Sequence, residues 1–132
     1  MTKQLILDLE VWRYDEMPSV NKVILVGRVG SPPETRILES GQMVTRFSVA
    51  TDRSWTNSEG ERQKVTDWTR VETRSRLAEV CGEYLDTGRL VYVEGRLQVD
   101  VRGQGDDRRY YPKVVACDVQ FLDKPPRAQA QD

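Results

Sequence analysis

From Val20 onward, apolar residues recur mainly at every second position, and at only one place at helical spacing. Val20–Gly30 (VNKVILVGRVG) predicts an apolar strand closed by the turn residues Gly30-Ser-Pro-Pro33. Thr35–Leu38 and Met43–Thr51 flank Glu39-Ser-Gly-Gln42, a hairpin signal, and Asp52–Lys64 reads as a long polar loop carrying Trp55 and Gly60. Val65–Arg74 is the next strand. Arg76–Leu85 is the one predicted helix: Leu77, Val80 or Cys81, Tyr84 and Leu85 share a face, Ser75 can cap its start, and Gly88 follows its end. Leu90–Arg102 then alternates, with Val91, Val93, Leu97, Val99 and Val101 on one face and Tyr92, Glu94, Arg96, Gln98 and Asp100 on the other. Gly103–Asp107 is a second exposed loop, and Tyr110–Leu122 a last strand in which Pro112 predicts an edge or a bulge.

With the helix between the third and fourth strands, a β-β-β-α-β-β order predicts an all-β, five-stranded Greek-key barrel of the oligonucleotide-binding (OB) type, which binds through a sheet face and its flanking loops. The domain spans residues 18–122. Residues 123–132 (DKPPRAQAQD) form a short polar tail predicted to be disordered. Residues 1–17 are an extension in which Leu5, Leu7, Leu9 and Val11 alternate with Gln4, Ile6, Asp8, Glu10 and Trp12, the pattern of an extra strand. Such a strand must pair with a sheet edge of its own or a neighbouring subunit, or else the segment is a disordered leader.

Within the strand Val65–Arg74, alternation puts Trp68, Arg70 and Arg74 on the face opposite Val65, Thr69 and Val71. An indole beside guanidinium groups on a solvent-facing sheet makes a poor core element. It makes a good platform for an unpaired base, since the ring stacks while the cation meets the phosphate. Trp55, in its polar loop after Asp52-Arg-Ser54, is a second such platform. Tyr110 and Tyr111 read better as packing at a strand start.

Charge changes this picture little. Residues 1–17 carry −2 and residues 123–132 balance, so of the net −1 the residues between hold +1. Nucleic-acid binding needs a local basic stripe rather than a basic protein. Arginine outnumbers lysine 15 to 5, and arginine both stacks and forks onto phosphate. Arg28, Arg46, Arg53 and Arg96 read equally as solvated charges or as contacts. Histidine is absent, which removes the usual general base, and Cys81 and Cys117 alone make no zinc pattern. Both read as buried thiols, and no enzyme, cofactor or metal is expected. No apolar run is long enough to span a membrane, and Asp8 and Glu10 interrupt what would be a signal sequence, so a cytoplasmic, nucleoid-associated location is expected.

Several segments resemble the bacterial and mitochondrial single-stranded DNA-binding proteins (SSB): Val20–Gly30 with Pro33-Glu-Thr-Arg36, Phe47-Ser-Val-Ala-Thr51 with Trp55, Asp67-Trp-Thr-Arg-Val71, Leu77–Leu85, Leu90–Leu97 and Val114–Leu122. The resemblance implies an OB fold, sequence-independent binding of single-stranded DNA, and a homo-oligomer, usually a tetramer built as a dimer of dimers. It places Trp55 and Trp68 where family tryptophans stack on bases, and Lys22, Arg36, Arg70 and Arg76 where the family has basic or DNA-contacting residues. Arg74 stands where a phenylalanine is usual and Arg102 where a tryptophan is frequent; both, with Arg53, complete the candidate DNA-binding set. Thr69 replaces a histidine linked to the subunit interface, and Asp86, Thr87 and Asp100 stand where basic residues are frequent. The tail lacks the acidic, phenylalanine-ended tip that recruits partner enzymes in the family, so such recruitment is not expected. The function expected is protection of single-stranded DNA in replication, recombination or repair. The alternative is an OB-fold protein-interaction subunit, of primosomal or paralogue type, with weak DNA binding.

Overall fold

A computed structural model describes residues 17–124; the strand pattern read over residues 4–12 and the tail beyond Lys124 lie outside the described residues. In chain order the elements are β1 (Val23–Val29), β2 (Glu34–Ile37), β3 (Met43–Thr56), β4 (Arg62–Arg74), α1 (Ser75–Tyr84), β5 (Leu90–Arg102), a 3-10 turn (Gly105–Asp107) and β6 (Arg109–Phe121). The sheet runs β1-β5-β6-β4-β3-β2 and closes on itself where Arg28 and Val29 of β1 pair with Ala50 and Val49 of β3. The barrel strands are therefore β1, β3, β4, β5 and β6, with β2 flanking β3 and the helix between the third and fourth, as the alternation predicts.

Closure is brief at two seams. The β1–β3 seam is two residues long, and β4 meets β6 in parallel only at Val71↔Val114 and Glu72↔Val115. At the first seam the strands pass so closely that a side chain at Gly27 would overlap the carbonyl oxygen of Ala50. The interior is filled mainly by valines, Val29, Val49, Val71, Val91, Val93 and Val114, with Phe47, Cys81, Leu85 and Ala116. Branched side chains suit a small barrel because they fill volume without losing much rotamer freedom on a strand. The helix docks through Thr45, whose hydroxyl donates to the Ala78 carbonyl at 2.6 Å.

Beyond the seams, two long hairpins project as arms, and here the structure corrects the sequence reading. The segment Asp52–Lys64 is not a loop: β3 and β4 stay paired out to Thr56↔Arg62. Polar cross-strand pairs hold them, with Thr66 donating to Asp52 at 2.7 Å and Arg53 to Asp67 at 2.9 Å. Asn57 makes the turn, its side-chain oxygen accepting from the amides of Glu59 and Glu61, while Gly60 takes φ +81°. The second arm, β5–β6, carries Leu97, Val99 and Val101 on one face, as expected, and beyond the barrel end all three are exposed. Pro112 lies where β6 has no second neighbour, and the bulge falls elsewhere, between Glu94 and Gly95.

Smaller expectations also change. Ser75 does not cap α1; it opens the helix at φ +57°, a backbone that favours glycine, and its hydroxyl accepts from the Gln42 amide. Cys81 is buried, and burial pushes its thiol up to about 11 against a hydrogen bond with Thr73, but Cys117 is exposed. Asp123, just past the last strand, bonds back to the barrel. The buried Arg89 guanidinium donates to its carboxylate at 2.8 Å and its carbonyl at 3.1 Å while lying 4.7 Å from the Phe121 ring centre. Replacing Asp123 by asparagine leaves a buried cation without its counter-charge. The D123N variant is expected to unfold at a lower urea concentration, and an unchanged midpoint would contradict the role given to this pair.

Candidate nucleic-acid interface

Antiparallel register decides which side chains share a face. Across β3 and β4, Arg46 lies opposite Glu72, Ser48 opposite Arg70, Ala50 opposite Trp68 and Val44 opposite Arg74. Glu34 of β2 lies opposite Arg46, and alternation puts Arg36 on that side too. This face points out of the barrel. Arg102, Asp100, Tyr111 and Lys113 of the β5–β6 arm wall it on one side and Ser31–Glu34 on the other, around a cleft of about 500 Å3. A second cleft joins it, lined by Trp68, Arg70, Leu97, Tyr111 and Lys113.

Trp68 stands at this junction, 62% exposed. Its ring leans over Gly30, where any side chain would overlap it. Tyr111 is half-buried, with the Arg102 guanidinium 5.1 Å from its ring centre. The cleft thus offers one free indole and one aromatic already capped by a cation.

Its floor is held by Glu72, a carboxylate 3% exposed. Arg74 donates to Oε2 through Nε at 2.9 Å and a terminal nitrogen at 2.7 Å; Arg46 donates to Oε1 at 3.1 Å and Lys113 to Oε1 at 3.3 Å. Lys113 also meets Asp100 at 3.0 Å. Burial pushes the Glu72 carboxyl up, but the hydrogen bonds from Arg74, Arg46 and Lys113 outweigh it and hold the group below its ordinary value. Two carboxylates therefore balance most of the charge of Arg46, Arg74 and Lys113. Arg36, Arg70 and Arg102 form no ion pair among the described residues; Arg70 and Arg102 line the cleft, and Arg36 lies on the same face outside its lining.

Of the sequence-derived candidates, Trp68, Arg70, Arg36, Arg74 and Arg102 come together on this face. The others do not. Trp55 stands on β3 rather than in a loop, opposite Gln63, and alternation places it with Arg53 on the other face of the β3–β4 arm. The Arg53 guanidinium lies 5.6 Å from its ring centre and also bonds Asp67. Lys22 immediately precedes β1, 3.5 Å from Glu94, and Arg76 lies in the first turn of α1, paired with Glu79 at 3.3 Å. Sequence reasoning missed Glu72, Ser48, Lys113 and Tyr111 as parts of the cleft. No signal in the single sequence marked them, because their grouping depends on cross-strand register.

The comparisons decide the family. Residues 20–122 match the model of the single-strand binding protein family. The chain belongs to that family. It is 42% identical over 106 residues to single-stranded DNA-binding protein 1 of Chlorobaculum tepidum and 48% identical over 106 residues to the single-stranded DNA-binding protein of Neisseria meningitidis. These alignments cover 78% and 79% of the chain but 65% and 60% of those proteins, so the chain spans less than two thirds of their length. Among solved structures it resembles the Plasmodium falciparum SSB in complex with ssDNA, with TM-score 0.76 and 33% identity over 82% of this chain and 99% of that one. It also resembles a deletion mutant of the Thermus aquaticus single-stranded DNA-binding protein, with TM-score 0.70 and 27% identity over 79% of this chain and 51% of that one. The barrel is the OB fold. No helix among the described residues is long and apolar enough to cross a membrane.

The folded-state pKa of Glu72 is lowered, so its contribution to stability is present above the unfolded carboxylate pKa and lost as pH falls through the folded value. The E72Q variant should lose roughly 1–3 kcal/mol at neutral pH and show a weaker fall in stability on acidification below pH ~4.5. Parallel acid profiles for the two proteins would contradict this.

Proposed function

We propose that the protein binds single-stranded DNA without sequence preference and protects it in replication, recombination or repair, as a binding protein rather than an enzyme. The observation that carries this is the exposed Trp68 beside Arg70, at the mouth of a cleft whose free charges are arginines. A base stacks on the indole while its phosphates run past Arg36, Arg70 and Arg102. The Tyr111–Arg102 pair offers a second stacking surface, and Arg74, neutralised by Glu72, contributes its plane rather than its charge. Trp55 lies on the far side of the arm. A strand that uses both tryptophans must therefore pass around the arm's edge, with Arg53 beside it.

A homo-oligomer, a tetramer as a dimer of dimers, completes the reading. β1 is paired to β3 at only two positions, so the backbone from Val23 to Gly27 is an open edge, and Ile24 and Val26 are exposed on its outer side. Lys22 and Arg76 lie outside the cleft's lining and would contact DNA only where it leaves the groove. A cytoplasmic, nucleoid-associated site of action follows from the substrate. The second reading, a protein-interaction subunit with weak DNA binding, has one observation on its side: Glu72 and Asp100 already occupy Arg46, Arg74 and Lys113.

Titration separates the two. Intrinsic fluorescence should be quenched by oligo-dT at low salt, and affinity should fall with salt; no quenching, or equal affinity for duplex, would reject the DNA reading. The W68A variant should lose about 2 kcal/mol of binding energy. R70A should weaken binding and reduce the slope of log K against log salt by roughly 0.7, whereas an unchanged slope would remove Arg70 from the phosphate path.

A further inference from the structure

Glu72 ties three strands together, but Asp100 joins nothing that the backbone does not already join. Its side chain is 35% exposed on the projecting arm, where β5 and β6 are paired throughout, with Asp100 opposite Tyr111 and Gln98 opposite Lys113. It nevertheless places a carboxylate in the lining of the cleft, beside Arg102 and Lys113. An anion beside a phosphate path opposes binding. Closure of the barrel does not account for it.

Its contacts show which cation it holds. Lys113 Nζ lies 3.0 Å from Asp100 Oδ2 and 3.3 Å from Glu72 Oε1. Gln98 Nε2 donates to Asp100 Oδ1 at 3.0 Å, and Gln98 Oε1 accepts from Arg96 at 3.2 Å, so the carboxylate is held from behind along its own strand. Hydrogen bonds from Gln98 and then Lys113 hold the carboxyl below its ordinary value, and it is charged at neutral pH. Glu72 is already committed: its Oε1 is shared with Arg46 at 3.1 Å, and its Oε2 takes both bonds from Arg74. Without Asp100, one carboxylate would face three cations. Lys113 also stands where the two clefts join, lining both with Arg70 and Tyr111.

We propose that Asp100 withholds Lys113 from DNA and so sets how many phosphates the cleft engages; this rests on the cleft being the site of single-stranded DNA. With Asp100 and Glu72 both bound to it, Lys113 presents a neutralised amine to a strand passing the junction, and the phosphates are left to Arg70, Arg36 and Arg102. A strand held by fewer free cations displaces fewer counterions when it binds, so its affinity is lower and falls less steeply with salt. Asp100 thus acts through Lys113, as a positioning residue that limits the grip of the cleft without touching the DNA.

Oligo-dT titrations over a series of salt concentrations test this in the wild-type protein, D100N, K113Q and the double variant D100N/K113Q. Asparagine keeps the shape of the side chain, and the position lies outside the barrel core. D100N should bind roughly threefold more tightly at low salt. Its plot of log K against log salt should steepen by about 0.7, the value of one further phosphate contact on a single strand. In the K113Q background the same substitution should leave the slope unchanged and alter affinity by less than about twofold. An equal gain in both backgrounds would reduce Asp100 to general repulsion and overturn the proposal, as would an unchanged slope in D100N. Absence of binding by all four proteins would reject the DNA reading of the cleft, and this proposal with it.

Discussion

The carboxylate of Glu72 is the contact on which the cleft depends. It sits at the parallel seam between β4 and β6, one of the two places where the barrel closes, and it takes hydrogen bonds from β3, β4 and β6 at once. A parallel pairing two residues long is a weak joint by itself. A buried acceptor shared by Arg46, Arg74 and Lys113 ties the three strands together on the face where DNA is proposed to bind. The same contact sets the electrostatics there. The cations held by Glu72 and Asp100 are fixed and mostly balanced, while Arg70, Arg36 and Arg102 form no ion pair among the described residues.

Short seams and long arms are two sides of one geometry. Because closure takes so few residues, β3–β4 and β5–β6 run on past the barrel as hairpins, and the cleft lies where their outer faces meet. Trp68 owes its pose to a missing side chain at Gly30, and Arg102 owes its pose to Tyr111. The tryptophan and the arginine are thereby presented by strands rather than loops, which lowers the ordering cost of the proposed binding of a flexible single strand.

Much of the fold was legible in the sequence. β1, the helix and the inner parts of β3, β4 and β5 bury one face, so their period shows. The outer β3–β4 arm did not show because its residues from Asp52 to Lys64 are polar on both sides; only Asn57 and Gly60 marked the turn. Leu97, Val99 and Val101 alternate like the core valines of the same strand, yet all three are exposed. Alternation says which side chains share a face, but not whether a core lies beneath them.

The site was read less completely than the fold. Trp68 and Arg70 came from parity within one strand, which sequence supplies. Placing Trp55 on the opposite face needed the pairing with β4, and Arg74 lost its free charge to a carboxylate two residues away that parity alone would leave in solvent. Cross-strand register is the information a single sequence withholds.

Photocross-linking with oligo-dT carrying 5-bromouracil tests the central claim most directly, because it reports where bases lie. Adducts mapped by mass spectrometry are predicted at Trp68, Tyr111 and Trp55. Adducts confined to Tyr84 on the helix or Tyr92 on the outer face of β5 would contradict the account.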